Sequence, residues 1–260
     1  MSTSTEANQN YFNKIAANYD QLFAKSLDAL KIELQVHADF IGIKKGGRLL
    51  DYACGTGFVS IVCLTQNYLA ITMNTDFDYP RNQQSLSDVI GQAVGVDITE
   101  NMVGAYNAKA VSAKVPEDQR RAYLGNLLST PPSASLDGPL FHGFDVAGVG
   151  MGFHHFEDTT LAAARLAGRL AVGGSLFVLD FLPHGAEPHH GLLLAERGVR
   201  HLGFDEEKTR RIFEEAGAAG EFRYKELDTV IEIENMPAQG QTMRRRLFLA
   251  RGTKTAQSHM

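Results

Sequence analysis

The run RLLDYACGTGFVS, from Arg48 to Ser60, closes an apolar stretch with an acid and follows it with two glycines one residue apart. That spacing puts a carboxylate beside a bare backbone. Glycines after a strand let the chain turn tightly into a helix, and they let a ligand touch the main chain because no Cβ intrudes. A plain tight turn uses the same residues and is the competing reading. A phosphate loop needs Lys and then Ser or Thr after its last glycine, whereas Phe58 and Val59 stand there. The dinucleotide fingerprint needs a third small residue three places beyond its second glycine, where Ser60 is a poor match. Asp51 would repel a pyrophosphate and suits a cationic or amino-bearing ligand.

The histidines are the other residues able to do chemistry. His154 and His155 follow an apolar run, and His184, His189 and His190 lie in LPHGAEPHHGLL. An unperturbed imidazole titrates near neutrality and is the natural candidate to take a proton from an acceptor; a backbone hydrogen bond at a turn is its bland alternative. Their spacing matches no strong zinc pattern, so no metal is expected. Cys54 has no neighbour that guarantees a thiolate and reads as a small residue filling a small space.

These residues must be positioned by an alternating chain. Short apolar runs at Arg48–Tyr52, Ala93–Asp97, Ala122–Leu124, Phe144–Val149 and Ser175–Phe181 are separated by helical patterns that include Thr99–Ala113 and Thr159–Ala171. Such alternation predicts βαβ units and a parallel sheet. Two helical patterns precede it: Tyr11, Ile15 and Tyr19 recur at four-residue steps, and Leu27, Leu30, Leu34 and Phe40 follow, with Gly46 and Gly47 as the stop. After the amphipathic FDEEKTRRIFEEAGAAG, two strands joined by PAQGQ predict a hairpin, so at least one strand runs against the parallel set. The reading divides the chain into a helical cap at 1–45, a core at 46–252 and a flexible tail at 253–260. Residues 62–87 fit no element. They read as an irregular insertion, either a surface excursion covering the site or a stretch wrongly read as coding.

The 260 residues are 44% hydrophobic and 21% charged, with a net charge of −5. No basic stripe supports nucleic-acid binding, although Arg244, Arg245 and Arg246 form a local patch. Two cysteines do not make a disulfide framework. Neither a signal peptide nor an apolar run long enough to span a bilayer is present, so a cytoplasmic protein without membrane contact is expected. The oligomeric state is not legible.

LLDYACGTG resembles the first motif of the class I S-adenosylmethionine-dependent methyltransferases, Asp/Glu-x-Gly-x-Gly-x-Gly, in their small-molecule branch of type 11 and 25. Asp51, Ala53, Gly55 and Gly57 take its places. Ala53 replaces the first glycine, tolerable if its φ stays negative. GVDITENMV is similar to the second motif, RAYLGNLL to the end of the third strand, FDVAGVGMGFHHF to the fourth-strand motif and LAVGGSLFVLDF to the fifth strand. The resemblance runs from about Tyr11 to Gly252. It implies a Rossmann-like α/β fold with a seven-stranded, mostly parallel sheet, a C-terminal antiparallel hairpin strand and helices on both faces. It also implies S-adenosyl-L-methionine as cofactor. Asp97 would accept from both ribose hydroxyls, with Ile98 beside it and Met102 near the adenine. The amide oxygen of Asn126, or the Leu127 backbone, would meet the adenine amino group. Tyr19, Cys54 and Gly150 would complete the cofactor site.

Methyl transfer is an in-line displacement in which positioning supplies much of the rate. The expected acceptor is a small, partly apolar metabolite methylated on oxygen, nitrogen or sulfur, held by Tyr11, Phe12, His155, Phe181 and His184 near Leu192, Leu193 and Leu194, with His154 or His155 as base. The competing readings are a methyltransferase fold that has lost turnover because residues 62–87 disturb its site, and an NAD-dependent oxidoreductase.

Overall fold

The structure is a computed structural model that describes residues 4–64, 90–185, 194, 196–233 and 243–256. Seven strands form one sheet: β1 (Gly47–Tyr52), β2 (Ile90–Asp97), β3 (Arg120–Leu124), β4 (Phe144–Gly150), β5 (Leu170–Phe181), β6 (Gly220–Ile233) and β7 (Met243–Thr253). Their order is β3-β2-β1-β4-β5-β7-β6. Strands β1 to β5 pair in parallel, and β7 runs antiparallel to both β5 and β6. One strand therefore runs against the rest, as the terminal hairpin requires.

Period-two burial explains the apolar runs. Leu49, Phe177 and Leu179 face one core, with Leu27, Leu30, Leu34 and Phe58, while Leu50, Leu176 and Val178 face the other, with Ala162, Leu166 and Phe213. Both faces are covered by helices, so neither set of alternate positions is left to water and the strands read as continuous hydrophobic stretches.

The helices are α1 (Ser4–Ile15), α2 (Tyr19–Leu22), α3 (Ala24–Val36), α4 (Ala38–Ile41), α5 (Phe58–Leu64), α6 (Glu100–Ser112), α7 (Thr159–Arg169) and α8 (Glu206–Glu215). Helices α7 and α8 carry N-caps of the expected chemistry: Asp158 accepts from the Leu161 amide and Asp205 from the Lys208 amide. The N-terminal periodicity is interrupted three times, by a 3-10 turn at Ala16–Asn18, by Phe23 and by His37. Helix α4 stops at Gly42, left-handed at φ 86, and not at Gly46 and Gly47; a C-cap needs the left-handed residue directly after the last turn. Leu27, Leu30 and Leu34 are core residues, so α3 belongs to the packed body as well as to a cap.

Two boundaries move. Residues 62–64 are the last turn of α5, and the rest of the insertion lies outside the described residues. The tail does not begin at 253: Thr253 closes β7, and Lys254 exchanges 2.9 Å backbone bonds with Gly173 and Gly174 and donates its ammonium to the Leu170 carbonyl. Among the described residues no helix is long and apolar enough to cross a membrane.

Candidate active site

β1, β2 and β4 end level with one another. Asp51 lies opposite Gly95 of β2 and Gly148 of β4, so the turn after β1 opens where the strand order reverses between β1 and β4. Ligands of open parallel sheets sit at that reversal, beyond the carboxyl ends. A cleft of about 370 Å³ occupies it. Its wall contains Tyr19, Ala53, Cys54, Gly55, Asp97, Ile98, Met102, Asn126 and Gly150, together with Phe12 and His155. The structure thus gathers most of the expected cofactor residues around one space.

Asp97 organises the floor. Its carboxylate accepts the Gly55 amide and the Thr99 amide, both at 2.9 Å, tying the β1 turn to the end of β2. Burial raises its pKa, and the amides of Gly55 and Thr99 oppose that rise. Each carboxylate oxygen retains acceptor capacity after these bonds. Asp51 stands behind the turn. It is buried, and its Oδ2 accepts the Ser60 amide at 3.2 Å and the Ser60 hydroxyl at 2.6 Å. Burial pushes its pKa up to about 7, against the pull of those bonds. Its service is to the first turn of α5, and it does not line the cleft; neither do Gly57 and Leu127.

Asn126 is also corrected. Its amide oxygen accepts from the Tyr52 hydroxyl at 3.2 Å and from the Leu128 amide at 2.8 Å, which fills both lone pairs. A ligand amino group therefore does not find that oxygen open.

Ala53 breaks the expectation of a negative φ: it sits at φ 55. A β-carbon in that conformation costs about 1–2 kcal/mol, partly offset because glycine loses more chain entropy on folding, about 0.5–1 kcal/mol. Ala53→Gly is therefore expected to stabilise the fold by about 0.5–1 kcal/mol, read as a higher urea midpoint at unchanged slope. An unchanged or lower midpoint would contradict the strain argument.

The cleft is roofed by the N-terminus, held by side chains on both sides. Gln9 donates to the Ile98 carbonyl at 3.0 Å, Asn13 bonds Asn101 through both side chain and backbone, and the Thr56 hydroxyl donates to Asp20 at 2.6 Å. Asp20 is in turn paired with Lys109. Asn8, 7% exposed, lines the cleft with its amide oxygen unpartnered. Sequence reasoning missed Asn8, Tyr52, Thr99, Met151 and Phe156 in this wall. Tyr52, Thr99, Met151 and Phe156 stand within the motif stretches, and Asn8 carried no positional signal.

A second cavity of about 140 Å³ adjoins the first, and Phe12, Tyr19, Met151 and His155 line both. Tyr11, His154, Phe181 and His184 line the second alone, with Phe23, Leu27, Leu194 and Ile231. His155 packs edge-on against Phe12 with ring centres 5.3 Å apart. Burial, then the neighbouring His154, drives the His155 pKa well down, and its Nδ1 has no hydrogen-bond partner. Burial raises the Cys54 thiol well above its ordinary value, aided by Asp97, so it is neutral and not a nucleophile. Met151, between β4 and the 3-10 turn Phe153–His155, is itself left-handed at φ 62; such backbone is common at ligand sites. Of the remaining candidates, His189, His190, Leu192 and Leu193 lie outside the described residues. Among the described residues no group of three His, Cys, Asp or Glu is placed to hold a metal ion.

The profile of the methyltransferase-domain family matches residues 33–220. The chain belongs to that family. The match runs from the end of α3 to the start of β6 and so takes in the ends of β1 to β5, where the cleft lies. An uncharacterized methyltransferase of Schizosaccharomyces pombe is 30% identical over 164 residues, which are 62% of this chain and 49% of the yeast protein. The chain spans about half the length of that curated relative. Two solved structures share the fold. Haemonchus contortus phosphoethanolamine N-methyltransferase 2 superposes with a TM-score of 0.62 at 13% identity, over 98% of this chain and 61% of the other. Magnesium protoporphyrin IX methyltransferase from Synechocystis, solved with bound S-adenosylmethionine, gives 0.57 at 14% identity, over 97% and 99%.

Proposed function

We propose that the chain is an S-adenosylmethionine-dependent methyltransferase acting in the cytoplasm on an oxygen, nitrogen or sulfur atom of a small, partly apolar metabolite. The observation that carries this is the pair of adjoining cavities: one is built on the glycine turn and Asp97, the other is mainly apolar, and four side chains form the seam.

The cleft's own groups fit the cofactor. Asp97 offers acceptor capacity to two sugar hydroxyls, the unpartnered oxygen of Asn8 offers a buried acceptor to an amino group, and Gly55 presents no side chain to the cleft, with nothing within 4 Å of where its Cβ would stand. When bound, S-adenosylmethionine supplies an activated methyl group on a sulfonium centre. Asp97 would fix the sugar, while Ile98 and Met102 would bracket the adenine. Phe12 and Tyr19, closing from the N-terminal helices, would exclude water from the seam and present π faces to a cation. Tyr19 stays a neutral phenol, since burial, with Asp20 beside it, raises its pKa. The mainly apolar wall of the second cavity favours an acceptor of the same character.

Calorimetry decides between cofactors. Adenosylhomocysteine is expected to bind one-to-one at micromolar concentration or below, with NADH giving no heat. Binding of NADH alone would establish the oxidoreductase, and binding of neither would establish that the cleft does not take a nucleoside cofactor.

A further inference from the structure

Resting on the methyl-transfer reading, we infer that His154, and not His155, takes the acceptor's proton, that Asp180 is its positioning residue, and that the acceptor is a group that must shed a proton: a hydroxyl, a thiol or an ammonium. Asp180 is fully buried in β5. A carboxylate so placed is tolerated only when its oxygens are met by donors, and here the donors converge on one residue. The His154 Nδ1 lies 2.8 Å from Oδ1 and 3.1 Å from Oδ2, the His154 amide donates to Oδ2 at 3.0 Å, and the Phe181 amide donates to Oδ1 at 2.7 Å. Both the backbone and the ring of His154 are therefore held by one acid. A carboxylate facing Nδ1 keeps the ring proton there and leaves Nε2 as the basic nitrogen.

Nε2 makes no hydrogen bond among the described residues, and the ring forms part of the wall of the second cavity, 4.8 Å from the Phe181 ring. His155 is held differently: backbone of Arg197 and Gly198 meets its ring, and among the described residues no acid orients it and its Nδ1 is buried without a partner. Besides Asp180 from β5, the titratable and charged groups that share the second cavity's wall with His154 are Tyr11 and Tyr19 from the N-terminal helices, His155 on the same turn, His184 after β5, Arg197 and His201 before α8, and Arg245 from β7.

The choice of acceptor follows from what an oriented base is for. A carboxylate is already ionised and needs no proton removal before attack. A hydroxyl, a thiol or an ammonium does. In the step, the acceptor oxygen, sulfur or nitrogen forms its bond to the methyl carbon as the methyl–sulfur bond breaks, that electron pair stays on the cofactor's sulfur, and the acceptor proton passes to Nε2, ahead of attack where the acceptor is an ammonium. Asp180 balances the imidazolium until the proton leaves to solvent.

The test uses the full chain, 15N-labelled at histidine and saturated with adenosylhomocysteine, alongside Asp180→Asn and His154→Gln, each checked for folding by circular dichroism. Nitrogen-detected correlation spectra are expected to show one histidine, absent in His154→Gln, with its proton on Nδ1 and a bare Nε2; in Asp180→Asn that tautomer preference is lost while adenosylhomocysteine affinity holds. With labelled S-adenosylmethionine and a panel of phenols, thiols, primary amines and carboxylates, label is expected on phenols, thiols or amines and not on carboxylates. Asp180→Asn should then lower kcat by about 100-fold with KM changed by less than about threefold. A protonated Nε2 in the native protein, an unchanged tautomer in Asp180→Asn, or label on carboxylates alone would overturn the inference. If adenosylhomocysteine fails to bind at all, the methyl-transfer reading itself falls. If it binds and the tautomer is wrong, only the role of His154 falls.

Discussion

Asp97→Ala is expected to weaken adenosylhomocysteine binding by at least about 100-fold, equivalent to about 2.7 kcal/mol, and to lower folding stability by about 2 kcal/mol. The two losses have separate causes. In the ligand-free protein the carboxylate satisfies the amides of Gly55 and Thr99, and alanine strands both. A buried donor left unpaired costs about 1–3 kcal/mol. The gain from no longer burying a carboxylate, whose cost is evident in the upward push on its pKa, offsets part of that. In the complex the variant also loses the acceptor proposed for the sugar. Asp97→Asn separates the terms: it can keep one amide bond and should recover most of the stability while recovering little of the affinity. Calorimetry and urea unfolding on the three proteins read both quantities. Near-native affinity in Asp97→Ala would show that the nucleoside does not lie on this acid.

Gly57→Ala should be the most destabilising single change in the motif, by about 3 kcal/mol, whereas Gly55→Ala should cost about 1 kcal/mol of stability and at least tenfold in cofactor affinity. The glycines are one residue apart and both left-handed, at φ 50 for Gly55 and φ 90 for Gly57. Their surroundings differ. A Cβ on Gly57 would stand 2.5 Å from Cδ2 of Tyr106, a fully buried ring in the middle of α6. It can be accommodated only by moving that helix or the turn. A Cβ on Gly55 meets no protein atom within 4 Å, and Gly55 lines the cleft, so the methyl would occupy space intended for the ligand. Thermal unfolding and calorimetry on the two variants should therefore rank them in opposite orders. A Gly57→Ala protein as stable as the native one would mean that Tyr106 yields without cost.

Much of the architecture could be read from patterns alone, because burial on both faces of a parallel sheet leaves an unmistakable apolar signature. All five parallel strands contain the runs expected of them, although β5 begins at Leu170, five residues before its run, and so takes Leu170 and Ala171 from the helix expected to reach Ala171. The boundaries that moved are those where a local signal competes with a tertiary one. Gly46 and Gly47 look like a helix stop, yet Gly42 ends α4, with no room for a Cβ beside Ser175. Tyr11, Ile15 and Tyr19 keep a helical period across a chain that passes through a 3-10 turn after Ile15.

At the site, residue type and order were sufficient to bring Gly55, Asp97, Ile98, Met102, Asn126 and Gly150 to one cleft, since strand ends in this topology converge by construction. What each side chain does there required three dimensions. Asp51 and Asp97 are both acids closing a strand, told apart in the sequence only by the motifs around them. Only the folded chain turns one toward Ser60 and leaves the other on the cleft floor. The Asn126 oxygen was spoken for by Tyr52, 74 residues away, and His154 acquired Asp180 across 26 residues. The sequence by itself determined the sheet, the turn and the edge at which a ligand would lie, because periodicity and backbone freedom are local properties. Tertiary structure alone decided which donors each carboxylate meets, which histidine carries an orienting acid and that Ala53 is left-handed, because hydrogen-bond partnership and forced φ depend on atoms that are distant in the chain and adjacent only after folding.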